Sequence, residues 1–218
     1  MSELHSAESP EPHSSSLIPP SRGYPAPSLI LPRTIARRIA GLVTARGDAE
    51  LCRRAIGLLA LQLEDVVLEA GCGAGVCIQQ AAEIAALGKV CGIEPSEELL
   101  VAARARNADA IRDGYVELQQ GLASRLPWPD ATFNKALAVN SPCDWPQPVA
   151  TLSEMLRVMR SGALLALVVQ PPWRTPRDGV RDLAELWAHR VAEAGFHDVR
   201  FGILSVGRGS AAAITGTA

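Results

Sequence analysis

Neither sign of charge dominates this 218-residue sequence: 21 Lys and Arg stand against 23 Asp and Glu, for a formal net charge of −2. That balance argues against a strongly basic surface, and so against nucleic acid as a partner. No run of about 18 uncharged apolar residues occurs, so no transmembrane segment is expected. The first residues hold no basic segment followed by an apolar stretch, so no secretory leader is read there and a cytoplasmic location is expected. Cysteines are few and odd in number: Cys52, Cys72, Cys77, Cys91 and Cys143. They lie in apolar or glycine-rich stretches and are expected as free thiols in a reducing compartment. Cys72 and Cys77 lack zinc-finger spacing, and no second Cys/His pair completes a tetrahedral set, so no metal site is expected. No internal repeat is visible.

What remains is ordinary globular composition, 48% apolar and 20% charged, with a length that suits one domain. Residues 1–30 differ. They carry Pro10, Pro12, Pro19, Pro20, Pro25 and Pro27 and the serine run Ser14 to Ser16. Such a segment has little apolar area to offset its ordering entropy and is expected to be a flexible tail, with Leu29–Ile30–Leu31 able to dock on the domain. Beyond it, Ile35, Ile39, Leu42 and Val43, then Leu51, Ala55, Leu58 and Leu59, recur at helical spacing. Gly47–Asp48 reads as a break between two helices, with Asp48 as N-cap.

From residue 63 strands and helices alternate. Val66 to Leu68, Lys89 to Ile93, Val116 to Leu118, Lys135 to Val139, Leu164 to Val169, Val199 to Leu204 and Ala211 to Thr215 read as strands. Helices are expected over Ala74 to Ala86, from Ser96 to about Asn107, along Val149 to Met159, and from Val180 to a stop at Gly195. Alternation with continuous apolar strands implies an α/β fold whose parallel sheet is covered on both faces. Ligands of such sheets sit at the carboxyl ends of the strands, where strand order reverses.

The first strand runs into Glu69–Ala70–Gly71–Cys72–Gly73–Ala74–Gly75. Gly71 suits a tight turn with positive φ. Gly73 and Gly75 leave backbone open to a ligand, and the following helix start favours an anionic group. Glu94 closes the second strand, where a carboxylate can accept bonds from both hydroxyls of a ribose. The pair points to a nucleoside-bearing cofactor. A dinucleotide would want G-x-G-x-x-G/A, and Val76 occupies the last of those positions. Glu69 is also poorly placed for a pyrophosphate and well placed for a ligand carrying an ammonium and a sulfonium, such as S-adenosylmethionine. A bare strand–helix turn that binds nothing is the competing reading.

Four segments extend the pattern: Val67 to Gly75, Gly92–Ile93–Glu94–Pro95–Ser96, Leu126–Pro127–Trp128–Pro129–Asp130–Ala131–Thr132–Phe133, and Arg157–Val158–Met159–Arg160–Ser161–Gly162–Ala163. In this order they resemble the motifs of class I S-adenosylmethionine-dependent methyltransferases. The likeness is to the small-molecule branch (type 11 methyltransferase domain) similar to the ubiquinone/menaquinone biosynthesis enzymes. The resemblance implies a Rossmann-like, mostly parallel seven-stranded sheet over residues 63–218, with residues 31–62 as a helical lid. It implies Glu69, Gly71, Gly73 and Gly75 around the methionine part of the cofactor and Glu94 on the ribose. Pro95 and Ser96 would lie beside the adenine, with Gln120, Gly121, Leu122 and Ala123 bordering it, and Asn140 near the methyl group. The sequence departs from the family at Leu122, where many relatives carry an aspartate, at Asn134 after Phe133, and at Ser161–Gly162–Ala163 in place of Pro-Gly-Gly.

Methyl transfer from a sulfonium needs positioning more than a covalent nucleophile, and no triad is visible. Asn140 and Asp144 are the catalytic candidates, and Trp145 and Gln170 are further candidates for the acceptor side. His5, His13, His189 and His197 read as solvated. Arg37–Arg38 and Arg53–Arg54 read as a charged helix face, and Trp173 as core cover. Short connections favour a small, fairly apolar acceptor. The competing functions are an NAD-dependent oxidoreductase and a non-catalytic S-adenosylmethionine-binding protein.

Overall fold

A computed structural model describes residues 45–172, 175–207 and 209–218, with side chains from residue 49 onward. The expected tail, the helix through Ile35 to Val43, His5, His13, Arg37–Arg38 and Trp173 lie outside the described residues. In chain order the elements are α1 (Ala45–Leu59), β1 (Val66–Ala70), α2 (Val76–Ile84), β2 (Lys89–Glu94), α3 (Glu97–Arg106), α4 (Ala108–Arg112) and β3 (Val116–Gln120). There follow β4 (Phe133–Val139), a 3-10 turn (Ser141–Asp144), α5 (Pro148–Val158), β5 (Met159–Val169), α6 (Arg177–Glu193), β6 (His197–Val206) and β7 (Gly209–Thr217).

The strands form one seven-stranded sheet in the order β3-β2-β1-β4-β5-β7-β6. Pairs from β3 to β5 are parallel, and β7 lies antiparallel between β5 and β6. This is the mostly parallel sheet that the family resemblance implies. Side chains of successive strand residues point to opposite faces, and the core divides accordingly. Leu68, Ala136, Leu165 and Leu167 pack under α5 and α6 with Leu152, Met155 and Val191. Val67, Val90, Leu137 and Ala166 pack under α1, α2 and α3 with Ile56, Ile78 and Leu100. Both faces being dry explains why Leu164 to Val169 is an unbroken apolar run.

Local chemistry sets the helix ends. The Ser96 hydroxyl accepts from the Leu99 N–H at 3.3 Å, which caps α3, and Glu97 and Glu98 follow in its first turn. Gly195, at φ +106°, ends the helical run of α6. One expectation needs correction. Gly47 and Asp48 do not separate two helices, because α1 begins at Ala45 and runs through both. The helix from Ser96 ends at Asn107 as expected, and a short helix, α4, follows; the Asn107 side chain bridges the Gly75 and Ala103 carbonyls.

Candidate cofactor site

The chain leaves β1 for β2 on one side and pairs it with β4 on the other, so the carboxyl end of β1 is a switch point of the sheet. Gly71 and Cys72 both donate N–H bonds to the Ile93 carbonyl, at 2.9 and 3.0 Å, which folds the loop over the end of β2. Gly71, Gly73 and Gly75 all take positive φ, at +82°, +52° and +76°. Their surroundings differ. A Cβ on Gly71 would lie 2.3 Å from the Ser141 Cβ, and one on Gly75 would lie 2.6 Å from Asn107 Nδ2 and 2.9 Å from the Ala103 Cβ. Protein thus fills the space beside these two. Beside Gly73 no atom lies within 4 Å, so of the three loop glycines it alone has open space where a side chain would stand. Ser141, which the sequence analysis did not weigh, holds the turn beyond β4 against the loop by donating its hydroxyl to the Ala70 carbonyl.

Glu94 joins loop and strand. It is 5% exposed. Its Oε2 accepts from the Gly73 N–H and its Oε1 from the Ser96 N–H, each at 3.0 Å. Each carboxylate oxygen keeps a second lone pair for a hydroxyl donor. Glu69 is 2% exposed, and its Oε2 has no hydrogen-bond partner. Burial, then the neighbouring Glu94 charge, pushes its pKa up to about 8 against an opposing backbone hydrogen bond. Two buried carboxylates side by side, one of them with an unpaired oxygen, make a place for a cation.

A cavity of about 160 Å³ opens here, lined by Glu69, Gly73, Val76, Val139 and Asn140 together with Cys52, Cys72 and Cys77. Asn140 sits in the left-handed region, φ +58°, and its Oδ1 accepts from the Gln170 N–H at 2.8 Å. Gly121 and Leu122 border a separate groove of about 760 Å³ along the Leu126–Pro129 segment. Gly121 is tied back to the site by its N–H on the Glu94 carbonyl at 3.2 Å. Ala123 is buried in the core. Pro95 is exposed, and its carbonyl accepts from Gln120 Nε2 at 3.4 Å. Asp144 is exposed on the 3-10 turn, outside the residues that line the cavity. Trp145 packs edge-on against Trp187, with ring centroids 6.0 Å apart, and serves the core.

The cysteines differ from expectation. Cys52 and Cys77 form a disulfide between α1 and α2, and Cys72, Cys91 and Cys143 are free. Pairing follows from the packing of two helices, which neither the odd count nor the spacing carries. A thiol at the start of a helix ordinarily has a lowered pKa, but Cys72 does not follow that rule. Burial, then the charges of Glu69 and Glu94, pushes it upward instead.

The open space beside Gly73, Glu94 at the end of β2 and the unpaired buried oxygen of Glu69 fit a nucleoside that carries positive charge. Comparison with known proteins points the same way. A family model described as a methyltransferase domain matches residues 68–167. An uncharacterized methyltransferase, YdaC, of Bacillus subtilis (strain 168) is 28% identical over 167 residues, 74% of this chain and 87% of that protein. Over residues 68–167 the chain resembles the S-adenosylmethionine-dependent methyltransferases.

S-adenosylmethionine is the cofactor of this methyltransferase family. A demethylmenaquinone methyltransferase of Symbiobacterium thermophilum is 36% identical over 102 residues, 45% of this chain but only 39% of that protein. The crystal structure of an S-adenosylmethionine-dependent methyltransferase from Aquifex aeolicus shares the fold, with a TM-score of 0.68 at 20% identity, covering 84% of this chain and 98% of that one. The matched segment runs from within β1 to most of β5, the five parallel strands of the sheet, and includes the loop, Glu94 and Asn140.

Proposed function

We propose that the methyltransferase moves a methyl group from S-adenosylmethionine to a small, largely apolar acceptor by in-line displacement. When bound, the cofactor supplies an electrophilic methyl group on a positively charged sulfur. The chain's own residues bind, orient and exclude water. In this reading the Glu69 carboxylate takes the amino-acid end of the cofactor, over the loop of Gly71, Gly73 and Gly75. Glu94 accepts from the ribose hydroxyls with its remaining lone pairs. Pro95 and Ser96 lie on one side of the adenine and Gly121 and Leu122 on the other, while Ala123 braces that edge from the core. Asn140, at the cavity rim, faces the acceptor side. Asp144, exposed on the outer turn, serves as a base only for an acceptor that reaches that turn.

The observation that carries the reading is the unpaired, fully buried oxygen of Glu69 beside a second carboxylate. The acceptor class is supported by the short connections after β4 and β5, which leave no room for a large docking insertion, and by the likeness to a demethylmenaquinone methyltransferase. α1, the described end of the expected lid over residues 31–62, lies against α2, β4 and β5 and closes one side of the cavity through Cys52.

Thermal shift with S-adenosylmethionine, S-adenosylhomocysteine and NAD tests the proposal. Stabilisation by the first two is expected, about 2.7 kcal/mol at a hundredfold excess over Kd. Stabilisation by NAD alone would contradict it. Labelled methyl donor incubated with metabolite extract, followed by mass spectrometry, then identifies the acceptor.

A further inference from the structure

Three cysteines border the cavity beside Gly73, and binding a cofactor there gives them no task. Cys52 on α1 and Cys77 at the start of α2 are joined, with Cα atoms 5.0 Å apart, and each is under 5% exposed. Cys72 is the free thiol next to them. Burial and the two nearby carboxylates keep it protonated, and a protonated thiol does not attack a disulfide. The pairing of Cys52 with Cys77 is therefore not reshuffled by its neighbour.

The linked helices form one wall of the cavity. On either side of Cys52 in α1, Leu51, Ala55 and Leu59 are fully buried against the sheet and its cover. Breaking the link therefore does not release the helix. It changes how closely the Cys52 turn approaches α2, because unlinked heavy atoms stop at van der Waals contact, about 3.5–4 Å for carbon, while linked ones sit inside it. With the link closed the cavity holds about 160 Å³. Sites that enclose small molecules usually offer roughly 300–1,000 Å³.

We propose that Cys52 and Cys77 are a reversible thiol–disulfide site that narrows the cofactor cavity when oxidised and widens it when reduced. The proposal rests on the reading of this cavity as the S-adenosylmethionine site. The oxidant is a low-molecular-weight disulfide of the glutathione class. One cysteine thiolate attacks it and expels a thiol, and the second thiolate then displaces the other half. One S–S bond breaks in the oxidant and one forms in the protein. Two electrons and two protons leave on the two released thiols. A small dithiol reverses the exchange and is itself oxidised to a ring. In a reducing compartment such bonds are transient and sense oxidants. By linkage, bound cofactor favours the dithiol to the same degree that the dithiol favours cofactor.

The test uses the full chain, treated with glutathione disulfide or with dithiothreitol, its redox state read by mass after alkylation. Five alkylated cysteines are expected after reduction and three after oxidation. S-adenosylhomocysteine is then titrated into each form. Binding at least tenfold weaker in the oxidised form is expected, and the double variant Cys52→Ser, Cys77→Ser should show no difference between the two treatments. Equal or tighter binding after oxidation overturns the proposal, as does failure of the disulfide to form. Absence of binding in both forms overturns the underlying cofactor reading as well, which keeps the two failures apart.

Discussion

At the scale of single residues, the glycine loop divides its labour in a way that spacing alone conceals. Gly71 and Gly75 have no room for a side chain because Ser141, Asn107 and Ala103 occupy the space, whereas Gly73 faces an opening. Gly75→Ala should therefore cost folding stability, about 1–3 kcal/mol by overpacking on top of the strain of a positive φ. Gly73→Ala should cost only about 1 kcal/mol of strain, yet weaken S-adenosylhomocysteine binding at least tenfold as its methyl group enters the cleft. Chemical denaturation and calorimetric titration of the two variants separate these effects; a Gly73 variant that binds normally would remove the loop from the site. Glu69 illustrates a different limit. Its position at the end of the first strand was legible, but its isolation from any hydrogen-bond partner at Oε2 was not. That property depends on what the fold fails to bring near it.

At the scale of elements, the departures from family pattern acquire local reasons. Asn134 stands where relatives carry an aspartate. Here its Oδ1 accepts from the Val66 N–H at 2.8 Å and its Nδ2 donates to Asp65 Oδ1 at 2.6 Å. Asp65 is buried and its Oδ2 accepts from the Gln62 N–H, so a second carboxylate at position 134 would face the first. The Leu126–Pro129 segment is likewise held by one side chain. Arg157 donates to the carbonyls of Leu126 and Trp128, to Glu154 and to Asp130, while Glu154 also accepts from the Leu126 N–H. Pairing with Arg157 holds the Glu154 carboxyl below its ordinary pKa. Arg157→Ala should destabilise the domain by roughly 2 kcal/mol, since it strips two carbonyls and two carboxylates of a common donor. Arg157→Lys should recover less than half, because an ammonium lacks the planar fork. Thermal unfolding of both checks this, and an unchanged melting temperature in the alanine variant would show the hub to be idle. The Arg157 motif is thus structural, although in the sequence it stands beside the cofactor motifs as their equal.

At the scale of the whole molecule, the alternation of strands with helices and the two covered faces were readable because burial on both faces leaves continuous apolar runs. Those runs alternate with amphipathic stretches such as Val180, Ala184, Trp187 and Val191. The glycine loop and Glu94 were readable because backbone freedom and a strand-end carboxylate leave marks in residue type. The disulfide was not, since its two cysteines meet only when α1 lies across α2. Nor was the burial of Ala123 or the outward placement of Asp144, both of which depend on how a loop turns after its strand. What the assembled molecule adds is a pair of buried carboxylates side by side, one of them with an unpaired oxygen. Bound cation favours the ionised form of Glu69 and lowers its pKa from about 8. Binding at neutral pH therefore expels the proton that the free site holds, and affinity rises with pH until it levels off above about 8.

Isothermal calorimetry of S-adenosylmethionine with the reduced protein at pH 7, in two buffers of different ionisation enthalpy, counts that proton. Stoichiometric binding with release of close to one proton is predicted, together with loss of the release in Glu69→Gln. Binding without proton release, or release that persists in Glu69→Gln, would contradict the assignment of Glu69 as the seat of the cofactor's positive charge.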